Sequence, residues 1–514
     1  MSKTIIIIGA GLAGLSAALQ AAENGCNVKL VSFLPSERAQ SVMAEGGINA
    51  ALNTKDENDS PEEHFTDTIK AACGLADPNA VWGMTQAAPE LVHWLLKLGV
   101  KFNMSGYDDV DLRNFGGQKK KRTAFAQSDT GKQIMTAMID AVRRKEASGM
   151  VERFSHHSFL TLRLCDNICC GCVIRDEYSQ ETVELPGDAV IVATGGMHGL
   201  FGNTTGSLSN TGEVTAELFR LGVPLANGEM IQYHPTTVKC GGKRMLISEA
   251  ARGEGGRLFA MKDGKQWYFM EEKYPELGNL MPRDITAREI WKVSRESEVF
   301  LDMTEISDEI ISNKLSGLAD DCMTYLHKDI RKEPVSVLPG IHYFMGGILV
   351  DEQHRTPIQN LYAAGECCAQ YHGANRLGGN SLLGALYGGR VAAKSACEQA
   401  DVVDLSCATQ IDFPPASQIS EIKQLNKVMQ ETMGVVRNEN TLLNGIQTVQ
   451  ALTGNLPLLG MAVLKSALAR KESRGAHWRE DYPKSNDDDY LKTTVARFDG
   501  KQIQISFVPV PERR

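Results

Sequence analysis

Residues 4–14, TIIIIGAGLAG, decide the fold of this chain. The apolar, mostly β-branched run 4–8 predicts a strand that is buried on both faces of a parallel sheet. The glycines after it form the pattern G-x-G-x-x-G, and an Ala/Leu-rich helix follows to about residue 23, with a second strand predicted over 27–32. This β-α-β order predicts a Rossmann-like dinucleotide site, with the pyrophosphate at the helix N-terminus.

Two further stretches predict strands of the same sheet. Residues 188–196, DAVIVATGG, and 361–366, LYAAGE, are each an apolar run that ends at glycine. Parallel strand ends converge on one edge of a sheet, so together they predict a dinucleotide that runs across its width. A glycine-rich segment around Arg376 follows. We expect its guanidinium to bind the carboxylate of a ligand, because it offers five donors in a planar arrangement. The alternative is that Arg376 forms an ion pair in a surface loop.

The type of dinucleotide is indicated by the end of the second strand. An acidic residue at this place usually holds the ribose of NAD, but the strand ends in Ser32. This departure disfavours NAD and leaves FAD as the candidate.

Composition excludes several classes of function. The chain has 514 residues, which predicts several domains, and its net charge of −9 argues against a nucleic-acid partner. We find no window with the ~18 apolar residues of a membrane span and no signal peptide. Twelve cysteines without secretory features favour reduced thiols and a cytoplasmic location.

Four cysteines cluster in the segment LCDNICCGCV, at positions 165, 169, 170 and 172. A metal site is one interpretation, but the spacing fits no zinc or iron–sulfur pattern. We therefore expect small apolar side chains on a β-hairpin and no metal site.

An ordered set of motifs resembles one family, the flavoprotein subunits of fumarate reductase and succinate dehydrogenase, with L-aspartate oxidase as a near relative. The set runs almost from end to end of the chain: GAGLAG (9–14), QYHPT (232–236), SEAARGEGG (248–256), PRD (282–284), HYFMGG (342–347), GECC (365–368), HGANRLGGNSLL (372–383) and KESRGAH (471–477).

The resemblance implies an α/β fold in which a Rossmann-like FAD-binding domain is split by an inserted α+β capping domain. A helical domain and a small C-terminal region follow. The expected boundaries are 1–227 and 340–400 for the FAD-binding domain, 228–339 for the capping domain, 401–480 for the helical domain and 481–514 for the C-terminal region.

The resemblance also implies hydride transfer between flavin N5 and a C4 dicarboxylate, paired with proton transfer at the neighbouring carbon. Arg283 aligns with the family's proton donor, and Glu249 and Arg252 align with the relay that resupplies it. An arginine is almost always charged, so as an acid it must be resupplied at once. The residues implied to hold the substrate are His234, Ser248, His342 and Arg376.

FAD contacts are implied at Arg376 again and at thirteen further positions. The thirteen are Gly9, Gly11, Gly14, Ser32, Ser41, Gly46, Gly47, Thr194, Gly195, Glu213, Glu366, Ser381 and Leu382.

One departure concerns how the flavin is held. Membrane-bound relatives carry a histidine that bonds covalently to the flavin, six residues before the first glycine of the Gly46-Gly47 pair. Here this position is Gln40, whose amide cannot form the link. We therefore expect non-covalent FAD, with a lower flavin potential that favours fumarate reduction over succinate oxidation.

A second departure concerns the substrate. Aspartate oxidases have a glutamate, which pairs with the substrate ammonium, where this chain has Phe115. An uncharged wall favours fumarate or succinate over L-aspartate. Against this, the absence of the flavin-linking histidine and the segment ISEAARGEGG (247–256) are also features of aspartate oxidases. A related unsaturated acid and a non-catalytic scaffold are further alternatives, and the intact set of polar residues disfavours both.

The chain contains no haem or cluster motif, so electrons must come from outside it. An iron–sulfur subunit is the expected partner, with a free flavin or a soluble donor as the alternative. The expected location is the cytoplasm, or the inner face of the membrane through partner subunits.

Overall fold

The computed structural model describes residues 2–106, 109–401, 411, 413 and 418–514. In chain order its strands are β1 (Thr4–Ile8), β2 (Asn27–Ser32), β3 (Ile48–Asn49), β4 (Leu112–Arg113), β5 (Thr123–Ala124), β6 (Val151–Ser155), β7 (His157–Cys165), β8 (Ile168–Asp176), β9 (Thr182–Pro186), β10 (Ala189–Val192), β11 (Leu225–Ala226), β12 (Ile231–Cys240), β13 (Lys243–Leu246), β14 (Arg257–Lys262), β15 (Lys265–Trp267), β16 (Val299–Asp302), β17 (Val335–Ser336), β18 (Leu338–Phe344), β19 (Gly347–Leu349), β20 (Leu361–Ala363), β21 (Cys368–Ala369), β22 (Lys492–Phe498) and β23 (Ile503–Pro509).

Its α-helices, in the same order, are α1 (Leu12–Glu23), α2 (Pro61–Ala71), α3 (Pro78–Lys97), α4 (Thr130–Ala147), α5 (Glu213–Arg220), α6 (Glu249–Gly253), α7 (Phe269–Lys273), α8 (Arg283–Val293), α9 (Asp308–Lys314), α10 (Ser316–Asp321), α11 (Asn380–Gln399), α12 (Ile419–Thr432), α13 (Glu439–Val449), α14 (Asn455–Ala469) and α15 (Asp487–Tyr490).

A five-stranded parallel sheet, in the order β20-β10-β1-β2-β6, forms the centre of the molecule. Ile5 to Ile7 of β1 are fully buried, as the continuous apolar run predicts for a strand covered on both faces. Helices α1 and α11 pack together on one face with a shared core. The predicted α/β fold with three strand ends at one edge is confirmed.

The cysteine cluster lies on an antiparallel hairpin. Cys165 ends β7, while Cys169, Cys170 and Cys172 are buried in β8, which pairs with β7 and β9. The hairpin interpretation is confirmed. Among the residues that the structure describes, no group of three or more His, Cys, Asp or Glu side chains is arranged to hold a metal ion.

A separate unit lies in the chain between β10 and β20. It contains the three-stranded sheet β13-β12-β18, the four-stranded sheet β15-β14-β16-β17 and helices α6 to α10 around a core of their own. This α+β insertion covers the carboxyl ends of the central sheet, where it meets the residues of the cavity described below. The precise limits of the domains stay predictions.

The last part of the chain packs on both of these units. Helices α12 to α14 share a core with α5 and β11, and strand β22 pairs with β11. The resulting mixed sheet, in the order β21-β19-β11-β22-β23, brings the C-terminal strands against strands far earlier in the chain. No helix among the described residues is long and apolar enough to cross a membrane.

Candidate active site

A large cavity of about 900 Å³ runs along the carboxyl ends of the central strands and under the inserted unit. Nearly all of the residues predicted to bind cofactor or substrate or to transfer protons line it, together with Gln40. The two exceptions are Gly14 and Arg252.

Gly14 has a packing role. A Cβ at this position would lie 1.8 Å from the carbonyl oxygen of Gly9, so α1 could not approach β1. Gly9 itself has φ +112°, and a Cβ there would meet the carbonyl oxygen of Ala193 at 2.2 Å. These glycines therefore let β1, β10 and the start of α1 meet at the edge of the cavity.

The long arm of the cavity fits a dinucleotide. The Ser32 hydroxyl is buried and has no hydrogen-bond partner in the part of the chain that the structure describes, so a ribose hydroxyl can bind to it. A Cβ on Gly11 would have no neighbour closer than 3.7 Å, which leaves room beside the start of α1. The first turn of the 20-residue helix α11, with Ser381 and Leu382, also faces the cavity. Two helix N-termini therefore meet there, which suits an anionic ligand.

Glu366 and Glu213 lie along the same arm. Glu366 accepts a hydrogen bond from the backbone N–H of Phe344 at 3.0 Å. Burial raises the pKa of Glu213 to about 6, with a further contribution from nearby Glu217. A hydroxyl-rich ligand suits both carboxyl groups better than a phosphate does.

Arg376 is a buried cation without a counter-ion. Its guanidinium forms no ion pair or hydrogen bond with any described residue, lies 4.5 Å from the centre of the Tyr343 ring, and has a buried Nε without a partner. Burial, together with the charge of Arg283, lowers the pKa of Arg376 to about 9, so it is still charged at neutral pH. Such a group requires an anion.

Two histidines face the same space, with ring centres 5.1 Å apart. His234 Nδ1 is held by Thr236, whereas its Nε2 is buried and free of any described partner. His342 Nδ1 lies 2.8 Å from the Thr205 hydroxyl. Burial and the charge of Arg283 hold the pKa of each histidine well below its usual value, so both are neutral and can hydrogen-bond to a carboxylate.

Arg283 begins α8 and is bound to Glu249 at the start of α6. Its Nε and Nη2 lie 2.8 and 2.6 Å from Glu249 Oε2. Burial alone would raise the pKa of Glu249, but the charges of Arg283 and Arg252 hold it below its usual value. Arg252 lies behind the cavity wall, 3.6 Å from Glu249 Oε1, and two of its guanidinium nitrogens have no hydrogen-bond partner. Arg283, Glu249 and Arg252 thus form a continuous series of charged contacts that leads from the cavity to the residues behind its wall.

Ser248 and Phe115 complete the substrate end of the cavity. The Ser248 hydroxyl accepts a weak hydrogen bond from Ala250 N–H at 3.4 Å, capping α6, and it lies beside the Glu45 carboxyl at the cavity wall. Phe115 is buried and lies 3.0 Å from where a Cβ on Gly46 would be. It supplies the uncharged wall that the sequence predicts.

Sequence reasoning did not single out three residues of this site. The Glu45 carboxyl lines the cavity, and burial, with the charge of Asp321, raises its pKa to about 8. Gln232 accepts from Arg283 and donates to Asn375 and to the carbonyl of Arg376. Tyr343 lies under Arg376. Gln232 and Tyr343 lie within the quoted motifs QYHPT and HYFMGG, and Glu45 precedes Gly46, but their burial and partners come from distant parts of the chain.

Comparison with protein families gives two matches. An FAD binding domain matches residues 4–382, and the fumarate reductase flavoprotein C-terminal domain matches residues 452–513. The succinate dehydrogenase flavoprotein subunit of Bacillus subtilis is 38% identical, over 100% of this chain and 98% of that protein. The chain belongs to the succinate dehydrogenase and fumarate reductase flavoprotein family. It is a flavin-dependent oxidoreductase that binds FAD.

Two other members of the flavoprotein family are similar to this chain over nearly its whole length. The 8-methylmenaquinol:fumarate reductase flavoprotein subunit of Wolinella succinogenes is 32% identical, over 100% of this chain and 92% of that protein. A structure of the E. coli quinol fumarate reductase FrdA superposes with a TM-score of 0.90 at 27% identity, covering 99% of this chain and 97% of that one. The family match confirms the predicted FAD cofactor and the class of enzyme.

Proposed function

We propose that this flavoprotein is the catalytic subunit of a fumarate reductase, converting fumarate to succinate. The observation that carries the proposal is Arg376, a buried guanidinium that lines the cavity and has no counter-ion among the described residues. A dicarboxylate provides the missing negative charge, and the neutral imidazoles of His234 and His342 provide donors beside it. The Ser248 hydroxyl is a further donor to the same ligand.

Each group of residues at the site has a separate role in the proposed reaction. Bound FAD, once reduced by the electron donor, would supply the hydride to the carbon–carbon double bond. Arg376, His234 and His342 hold and polarise the carboxylates, which makes the double bond a better hydride acceptor. Arg283 donates a proton to the carbon next to the one that receives the hydride. Glu249 and Arg252 then return a proton to Arg283.

The proposal is tested by assaying the purified chain with dithionite-reduced viologen and fumarate. We expect fumarate-dependent oxidation of the viologen to exceed succinate oxidation with an artificial acceptor. Faster turnover in the succinate direction would contradict the proposed direction while leaving the substrate class intact.

L-Aspartate oxidase is a second candidate because of one observation. Glu45 lines the cavity, and its carboxylate Oε2 has no hydrogen-bond partner among the described residues, so it offers an acceptor for an ammonium group that Phe115 does not. Burial raises the pKa of Glu45 to about 8, so this acceptor is mostly uncharged at pH 7, which favours fumarate. Peroxide release from L-aspartate that outpaces fumarate reduction would reverse this choice.

We further propose that FAD is bound without a covalent link. Gln40 lies at the wall of the cavity, and its amide offers no nucleophilic ring nitrogen. Precipitation with trichloroacetic acid should give a colourless pellet and a yellow supernatant. A yellow pellet would contradict the proposal.

The proposed electron donor is an iron–sulfur subunit that attaches the chain peripherally to the membrane. One support is that the relatives are named as flavoprotein subunits. The other is that the sequence of this protein contains no iron–sulfur cluster motif. Purification of the native protein should recover a second polypeptide that contains iron and labile sulfide. Recovery of an active single chain that accepts electrons from free reduced flavin would favour a soluble donor instead.

A further inference from the structure

Arg113, at the end of β4, is a buried guanidinium that has no part in the chemistry above. Its Nε donates to the carbonyl of Gly46 at 3.0 Å, and its Nη2 donates to the carbonyls of Gly46, Glu45 and Gln127. Gly46 and Glu45 line the cavity. Arg113 therefore holds the outer side of a loop whose inner side faces the bound ligand.

The same guanidinium also orders the aromatic side chains around it. Its central carbon lies 4.3 Å from the ring centre of Phe125 and 5.5 Å from that of Phe115. Phe115 in turn touches Gly46, where a Cβ would come within 3.0 Å of the ring. Arg113, Phe115 and the loop at Gly46 thus form one packed unit beside the cavity.

The charge of Arg113 is not neutralised by a contacting carboxylate. No ion pair joins it to a described residue, and its buried Nη1 has no hydrogen-bond partner. Two acidic groups whose charge acts on Arg113 are paired with other cations, since Glu254 pairs with Lys314 at 3.0 Å and Asp111 with Lys55 at 2.5 Å. Glu45 is mostly protonated at pH 7, because burial raises its pKa to about 8.

We propose that Arg113 is a positioning residue for FAD: its hydrogen bonds fix the Glu45–Gly46 backbone against the flavin site, and its unpaired charge favours the reduced flavin. Reduction adds electron density to the flavin, and a positive charge in a low-dielectric wall stabilises that form over the oxidised one. The proposal rests on FAD binding by this family and is independent of which dicarboxylate is reduced.

Two variants separate the hydrogen bonds from the charge. Arg113→Lys keeps the charge but cannot reach three carbonyls, so the Kd for FAD should rise at least tenfold while the midpoint potential stays near that of the wild type. Arg113→Met loses both, so the Kd should rise and the potential should become more negative. The Kd is measured by titrating apo-protein with FAD, and the potential by reductive titration against a reference dye.

Arg122 supplies a matched control, because it is also fully buried but is neutralised by Asp59 and Asp67 at 2.8 and 2.9 Å. Arg122→Met should lower the melting temperature without moving the potential of the flavin that remains bound. Equal potentials for wild type and Arg113→Met, or an equal shift in Arg122→Met, would overturn the proposed role of the charge.

If Arg113→Met does not fold, Arg113→Lys decides the proposal. An unchanged FAD Kd in Arg113→Lys would overturn the positioning role. A wild-type chain that takes up no FAD would instead refute the proposed function itself, so the two failures are distinguishable.

Discussion

An arginine that donates a proton must sit where its charge is balanced and its proton can be replaced. Arg283 meets this requirement through two hydrogen-bonding nitrogens on Glu249 and a third on Gln232. The geometry restricts the guanidinium to one orientation, so the nitrogen that faces the substrate is set by the protein. Arg376 differs, because its guanidinium has no such partners among the described residues, which is why we propose that it binds the substrate.

Arg283→Ala should lower kcat for fumarate reduction by about 100-fold or more, because both the proton donor and its charge are lost. The control is Arg288→Ala on the same helix, whose guanidinium stacks at 4.0 Å on Trp478 away from the cavity. Steady-state assays with reduced viologen measure both variants. Full fumarate turnover by Arg283→Ala would refute the assignment of the proton donor.

Arg376→Gln should raise the KM for fumarate by about 10- to 100-fold, the effect of losing a charge-assisted hydrogen bond to a carboxylate. Arg390→Gln is the matched control, since Arg390 lies on α11, the helix that follows Arg376 in the chain, and stacks on Trp94 at 4.7 Å. Retention of the wild-type KM by Arg376→Gln would show that the carboxylates are held elsewhere.

At the scale of elements, the meeting of β1, α1 and β10 depends on glycines with different tasks. Gly14 allows the helix to pack, whereas Gly11 leaves space beside the cavity. Residues that look equivalent in a G-x-G-x-x-G pattern therefore have separate physical roles.

Gly14→Ala should destabilise the protein even without FAD, because its Cβ would overlap the Gly9 carbonyl oxygen at 1.8 Å. Gly11→Ala should leave the melting temperature of the apo-protein near that of the wild type and weaken FAD binding instead. Thermal unfolding and FAD titration of the two variants test this difference. Equal effects on apo-protein stability would contradict it.

The elements themselves were largely predictable. The β-branched runs of β1 and β2 and the apolar run of β10 were expected as strands of one parallel sheet, and they pair in that way. Pairing of β22 with β11 was not predicted, because two residues such as Leu225 and Ala496 carry no local signal of their contact across the chain.

At the scale of the whole molecule, the burial of histidines makes stability depend on pH. Burial lowers the pKa of His64 to about 3 and that of His354 to about 4. These histidines stay neutral when folded but gain protons when unfolded below about pH 6.5. Their stabilising contribution is therefore present above this pH and is lost as the pH falls toward the folded value.

His64→Gln keeps a partner for Asn380, which the His64 ring contacts at 2.9 Å, but cannot titrate. The wild type should lose about 1.4 kcal/mol more unfolding free energy than this variant between pH 7.5 and 5.5. Urea unfolding at the two pH values measures the difference. Identical pH dependence in the two proteins would mean that His64 is protonated in the folded state.

The sequence alone determined the dinucleotide fold, because strand patterning and glycine spacing are local properties of the chain, and its motifs, through their resemblance to one family, indicated which residues meet at the site. Only the tertiary structure decided that Arg252 and Gly14 lie outside the cavity wall, that Glu45 faces into it, and that Arg376 and Arg113 are buried without counter-ions. Burial and charge balance are set by groups from distant parts of the chain, such as Arg283 beside Glu249, and no local pattern encodes them.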